Sequence, residues 1–224
     1  MNALFKPSLA LFVLLFSASA NAALMISVSD GTQTATFSDT DNNGIVGFDS
    51  DFMPGVWAST NWPSVSVKGF GSSWYTSQYA DLLHLNSIDG SSSTGGTLTV
   101  MLSETDLTSS IAPFLGDFGG VSGGDIQFQT YIDASNTIFG LETLLHDTSI
   151  ASAGAFSGTF GGEIDLGSTP YSKTIIATIQ HSNRAVSSFD YEIVVPEPGS
   201  LALIGIGFLF AGLATQRRRS KQCS

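Results

Sequence analysis

The stretch from Asp125 to Asp133, DIQFQTYID, alternates: Ile126, Phe128 and Ile132 share one parity with Thr130, while Gln127, Gln129 and Tyr131 share the other. Successive side chains of an extended chain point to opposite faces, so this segment is apolar on one side and polar on the other, the pattern of a half-buried strand. The same period returns in TLTVML (Leu98, Val100, Leu102), YSKTIIATI (Tyr171, Ile175, Ala177, Ile179) and SFDYEIVV (Phe189, Tyr191, Ile193, Val195). Turn clusters separate such runs: Asp30-Gly31, Asp41 to Gly44, Asp89 to Gly96, Gly119 to Asp125 and Gly161-Gly162. Helical spacing is hard to find. Its best segment, Thr137 to His146, carries Gly140 and fits a strand running into a turn about as well.

Many short strands with glycine-rich turns predict an all-β body, because each sheet has one apolar face to bury against another. The expectation is an antiparallel β-sandwich, jelly-roll-like; a β-barrel gives the same pattern. No fixed-period repeat points to a solenoid or propeller. At 224 residues the chain has length for one domain with a core. The glycine-rich stretches GDFGGVSGGD (Gly116 to Asp125) and SAGAFSGTFGG (Ser152 to Gly162) lack phosphate-loop spacing and read as loops and a small-residue strand.

Between residues 23 and 195 there are 18 acidic residues against only Lys68, Lys173 and Arg184, a net charge of −15. That field repels phosphate backbones and anionic headgroups, so nucleic acid is not an expected partner. The single cysteine, Cys223, lies outside this body, which excludes disulfide staples, thiol catalysis and cysteine-based zinc sites within it.

The two ends differ from the body. Residues 1–22 read as a secretory signal peptide, with Lys6 as the positive region, LALFVLLF (Leu9 to Phe16) as the apolar region and Ala20-Asn21-Ala22 as a small-x-small cleavage site. The body spans 23–194. Residues 195–200 hold Pro196-Glu197-Pro198-Gly199, which the two prolines bias toward an extended conformation. The apolar segment 201–215 reads as a short transmembrane helix, and Arg217, Arg218 and Arg219 in the basic tail 216–224 keep that end cytoplasmic.

Pro196-Glu197-Pro198, then Gly199-Ser200, a short Leu/Ala/Gly/Ile/Phe-rich helix and an arginine cluster resemble the PEP-CTERM sorting signal of exported Gram-negative bacterial proteins. In that family the signal is read by an exosortase, an integral membrane enzyme with a cysteine catalytic site. The resemblance implies export through the inner membrane, initial anchoring by the C-terminal helix, processing, and a final place at the cell surface or in the extracellular matrix. Such proteins occur in species that make exopolysaccharide, biofilm or flocs, so matrix polysaccharide is an implied partner. The expected role is structural or adhesive and not enzymatic, with a glycan- or calcium-binding module as the alternative and a secreted hydrolase behind it.

Two groups in the body bear on that alternative. DTDNNG (Asp39 to Gly44) opens like a calcium loop, with Asp39, Asp41 and Asn43 at positions one, three and five and Gly44 at the sharp turn. Its twelfth position is Ser50 instead of a bidentate glutamate, and an ordinary Asp/Asn turn between strands reads equally from these residues. Calcium is the only cofactor for which these residues offer ligands. Trp57, Trp62 and Trp74 cluster with Phe52, Phe70, Tyr75 and Tyr79, as aromatics that stack on sugar rings do, and as buried anchors of a sandwich do. His84, His146 and His181 form no metal-ligand spacing, there is no Gly-x-Ser-x-Gly elbow, and no catalytic residue is assigned.

Overall fold

The computed structural model describes residues 22–53, 55–74, 81–108, 111–165 and 170–195. The signal peptide, Pro196 to Gly199, the membrane helix and Arg217 to Arg219 lie outside the described residues. Among the described residues no helix is long and apolar enough to cross a membrane.

The described residues form twelve strands: β1 (Leu24–Ser29), β2 (Thr34–Ser38), β3 (Ile45–Asp49), β4 (Ser64–Phe70), β5 (Leu83–Ser92) and β6 (Gly96–Leu107) in the first half. The second half supplies β7 (Ile111–Ser122), β8 (Asp125–Asp133), β9 (Thr143–Ile150), β10 (Gly154–Asp165), β11 (Tyr171–His181) and β12 (Ala185–Val194). They pair antiparallel into two six-stranded sheets, β2-β1-β6-β11-β8-β9 (sheet A) and β10-β7-β12-β5-β4-β3 (sheet B). From β5 to β8 each strand lies in the other sheet from the one before it, and β6 is inserted between β1 and β11. This is the expected antiparallel β-sandwich with jelly-roll-like interleaving.

The period-two reading fixes the core. Ile126, Phe128 and Thr130 of β8, Leu98, Val100 and Leu102 of β6, and Ile175, Ala177 and Ile179 of β11 are buried from sheet A. Phe189, Tyr191 and Ile193 of β12 meet them from sheet B, with Phe128 and Tyr191 stacked at 4.9 Å between ring centroids.

Three expectations change. Gly119, Gly161 and Gly162 are not turn residues but lie within β7 and β10, which pair without a register shift from Gly154↔Ser122 to Asp165↔Ile111. Each inward phenylalanine faces a glycine across that ladder: Phe156↔Gly120, Phe118↔Gly158, Phe160↔Gly116 and Phe114↔Gly162. A Cβ on Gly158 would stand 2.3 Å from Phe118, and one on Gly116 would stand 2.1 Å from Phe160. The glycines make space for rings instead of breaking strands. Second, the segment after Asp133 turns first, through Gly140, and only then becomes β9. Third, Asp89 to Ser92 extend β5, leaving the turn to Ser93–Gly95.

Candidate functional site

Trp57 and Trp62 are core residues. Trp62 is fully buried, its ring 4.8 Å from His181, and the indole N–H of Trp57 donates to the Trp62 carbonyl at 2.8 Å. Burial removes both from any sugar-stacking role. Trp74 is different: it is 46% exposed and tilts over Phe70, with 5.3 Å between ring centroids.

Phe70 ends β4 out of phase. Val65, Val67 and Gly69 point inward, so Phe70 is on the outer face of sheet B. The ladders there align Ile45, Phe70, His84, Glu192 and Asp117 in one row across β3, β4, β5, β12 and β7. Phe70 lies 5.9 Å from the His84 ring, and His84 Nδ1 lies 3.6 Å from Glu192 Oε2. Burial pushes the Glu192 carboxyl above its ordinary value, and the negative charge of Asp117 adds to that; burial likewise pushes the His84 imidazole down, against Asp190 and Asp117. Both shifts oppose charge, so the contact gains little from ion pairing, and both side chains stay partly exposed. Exposed Asp117 closes the row, and exposed Lys68 and Asp190 border it. An indole over a phenyl ring beside carboxylates, an imidazole and an ammonium is a surface that can stack on a sugar ring and hydrogen-bond its hydroxyls.

The loop presenting Trp74 is gripped on two sides. Gly71 N–H donates to Gly44 O at 2.9 Å, and Gly44, at φ 76°, passes so close that a Cβ would stand 2.3 Å from Trp74 N. On the other side the Glu104 carboxylate, fully buried, accepts from Ser72 N–H at 2.9 and 3.0 Å and from the Ser72 hydroxyl. Burial pushes the Glu104 carboxyl up to about 7, against the Ser72 hydrogen bonds and the charge of Lys173. Lys173 is also fully buried and its ammonium donates to the Asp81 carbonyl; burial lowers it, with Asp81 and Glu104 pulling the other way. Tyr171 hydroxyl donates to Asp81 Oδ2 at 2.7 Å.

The turn Asp39 to Gly44 therefore supports Trp74 from below. Asp39 Oδ2 accepts from Gly44 N–H at 2.7 Å, Asn43 Nδ2 donates to Asp41 Oδ2 at 2.9 Å, and Asn43 Oδ1 accepts from Ile45 N–H at 2.9 Å. The hydrogen bonds lower the Asp39 carboxyl although partial burial works to raise it. Among the described residues no group of three or more acidic, histidine or cysteine side chains converges to hold a metal.

The remaining histidines are tied into the fold. His181 bridges Ser92 Oγ (2.8 Å) and Ser187 Oγ (2.7 Å), and His146 stacks on Phe160 at 3.8 Å while its Nδ1 meets the Tyr191 hydroxyl at 3.0 Å. The sequence placed Phe70 among the aromatics and His84 outside any metal spacing, but Glu192, Asp117 and the row that joins all four were missed. The signal was parity: each falls opposite to the buried residues beside it.

Fold and face together define a two-sheet β module with an aromatic, polar outer surface. Residues 194–219 match the PEP-CTERM protein-sorting motif, so the chain carries that motif directly after β12. No curated protein matches the chain. Among solved structures it is similar to an adhesin domain of Lys-gingipain from Porphyromonas gingivalis w83, at 9% identity and TM-score 0.36, over 49% of this chain and 71% of that one. A mannan-recognising carbohydrate-binding module aligns at 11% identity and TM-score 0.31, over 70% of this chain and 91% of that one. A xylan-binding domain from Paenibacillus barcinonensis aligns at 11% identity and TM-score 0.28, over 69% and 86%. Likenesses this loose carry no argument about function.

Proposed function

We propose that this protein is an exported, exosortase-sorted component of a polysaccharide-rich cell envelope, and that it holds polysaccharide on the outer face of sheet B. The sorting motif supports the route. The observation that carries the binding reading is Trp74, exposed over Phe70 at one end of a row of hydrogen-bonding side chains. The role is adhesive and non-catalytic. Carboxylates dominate the face and the body carries −15, so the favoured glycans are neutral or amino-bearing chains, not uronate-rich ones. Calcium at Asp39, Asp41 and Asn43 would stiffen the turn beneath Trp74.

The test is retention of the envelope-purified protein on the exopolysaccharide of its own host. Trp74→Ala should lose at least about tenfold in affinity, the scale of one lost ring stack, with an unchanged melting temperature. Equal retention of both proteins sinks the reading. Sorting is tested separately: changing Pro196, Glu197 and Pro198 to alanine should leave Cys223 on the envelope-associated protein, as read by its mass. Equal retention of Cys223 in the unaltered protein would sink the processing step.

A further inference from the structure

Sheet edges are templates for another strand unless something blunts them. Three of the four edges here are blunted. β2 and β3 are five residues each. β9 is eight residues long, carries His146 and Asp147, and is kinked by a register shift against β8 at Thr130/Tyr131. β10 differs in length and regularity, and its only charges, Glu163 and Asp165, stand at one end. It is twelve residues long, pairs with β7 without a shift, contains no proline, lysine or arginine, and has no partner on its other side among the described residues.

The sequence of β10 is also complementary to itself. Its inward residues run Gly154, Phe156, Gly158, Phe160, Gly162, Ile164. Turned antiparallel about Thr159, a second copy sets Phe160 against Gly158, Phe156 against Gly162 and Ile164 against Gly154. In that register each large side chain again stands opposite a glycine, Gly158 and Gly162 being the two over which Phe118 and Phe114 of β7 already lean. On the outward face the same register sets Glu163 against Ala155, Asp165 against Ala153, Ser157 against Gly161 and Thr159 against Thr159. The acidic end thus meets the uncharged end, and no like charges stand opposite, where they would destabilise the pair.

We propose that β10 is a homophilic edge: two copies of this chain join β10 to β10 about a two-fold axis at Thr159, fusing their B sheets into one. A two-fold interface uses the same patch on both subunits, and this strand is such a patch. The half-buried Phe156 and Phe160 become covered, and the two glycan faces lie side by side on one continuous surface. The pairing does not depend on the glycan reading, because it uses the edge and not the face.

Thr159 is exposed on the outer face, so changing it leaves the monomer's core untouched. In the full chain with Cys223→Ser, Thr159→Cys should form a covalent dimer on mild oxidation. Residues directly opposite in an antiparallel pair have Cα atoms about 4.5–5.5 Å apart, within disulfide reach. Ser157→Cys should not, since its own copy lies four residues away, about 13 Å along the strand. Sedimentation of the cysteine-free chain should show a concentration-dependent dimer, weakened about tenfold by Thr159→Lys, which sets two like charges face to face. A monomer at every concentration with no Thr159→Cys cross-link overturns the proposal. Cross-linking at Ser157 as strong as at Thr159 overturns it as well.

Discussion

Two long ladders fill the same gap between the sheets by opposite means. In β6–β11 the inward pairs are Leu102↔Ile175, Val100↔Ala177 and Leu98↔Ile179, moderate side chains against moderate side chains. In β7–β10 every inward ring faces a hydrogen atom, and Phe160, Phe118 and Phe114 lean over Gly116, Gly158 and Gly162. The first ladder divides its volume evenly; the second concentrates it on one side of each pair. Even division leaves room for repacking when one side chain changes, whereas concentrated volume does not, because the space above each glycine is already occupied. The aliphatic ladder has its own weak point, for its inward row ends in Glu104 and Lys173 where the next apolar residues belong.

The largest expected effect strikes that weak point. Lys173→Met removes the buried cation whose charge acts on both Asp81 and Glu104 and should cost about 3–5 kcal/mol in chemical denaturation. The loss should be greater at pH 8, where Glu104 is ionised, than at pH 5. A cost under about 1 kcal/mol would mean that the aliphatic ladder tolerates change even at its charged end.

Next comes the pH profile of Glu104→Gln. The Glu104 carboxyl rises from 4.5 to about 7 on folding, so the folded state holds a proton that the unfolded state has released. Stability from this group is therefore full below pH 4.5 and falls as pH climbs to about 7, by about 3 kcal/mol in all. Glu104→Gln should remove that decline. Glu192, raised like Glu104, and His84, His146 and His181, which burial lowers, act in both proteins and cancel in the difference. Parallel profiles for the two proteins would refute this.

The comparison itself is put to the test by one methyl group added and one removed. Gly116→Ala places a Cβ against Phe160 and 2.6 Å from the Glu192 carbonyl, and should cost about 2–3 kcal/mol. Ile175→Val, in the even ladder, should cost about 1 kcal/mol. Equal costs would break the contrast.

The last effect lies outside both ladders. Calcium at ten times a dissociation constant on the order of 10⁻³ M adds about 1.4 kcal/mol if it binds only the folded chain. The shift in melting temperature should vanish in the Asp39→Ala, Asp41→Ala double variant and be smaller with magnesium. An equal shift in both proteins would mark DTDNNG as a plain turn.

Period two made the aliphatic ladder legible, since Leu98, Val100 and Leu102 leave no other face for the strand to bury. It equally predicts Glu104 and Lys173 on the inward face, but a charge in a strand is read as solvent-facing unless its partners are known, and these partners lie 32 to 92 residues away. The Phe/Gly ladder was hidden for another reason. Glycine in a single strand signals a break; only when GAFSGTFGG is laid against PFLGDFGG do Gly116, Gly120, Gly158 and Gly162 each acquire a ring. The face around Trp74 was half legible. The aromatic cluster was visible, yet which tryptophan stays outside depends on Trp62 packing against His181, a contact across 119 residues of chain.

β12 sits in the middle of sheet B and ends at Val194, with buried Val195 and then the sorting segment following at once. A body anchored or attached through that segment receives any pull directly on a central strand. That strand is paired with β7 from Ser188 to Val194 and with β5 from Ala185 to Ile193. Tension along β12 loads the bonds of both ladders together, in shear, instead of peeling them one at a time. A pull entering through Val195 therefore meets two ladders at once before it can open the sandwich.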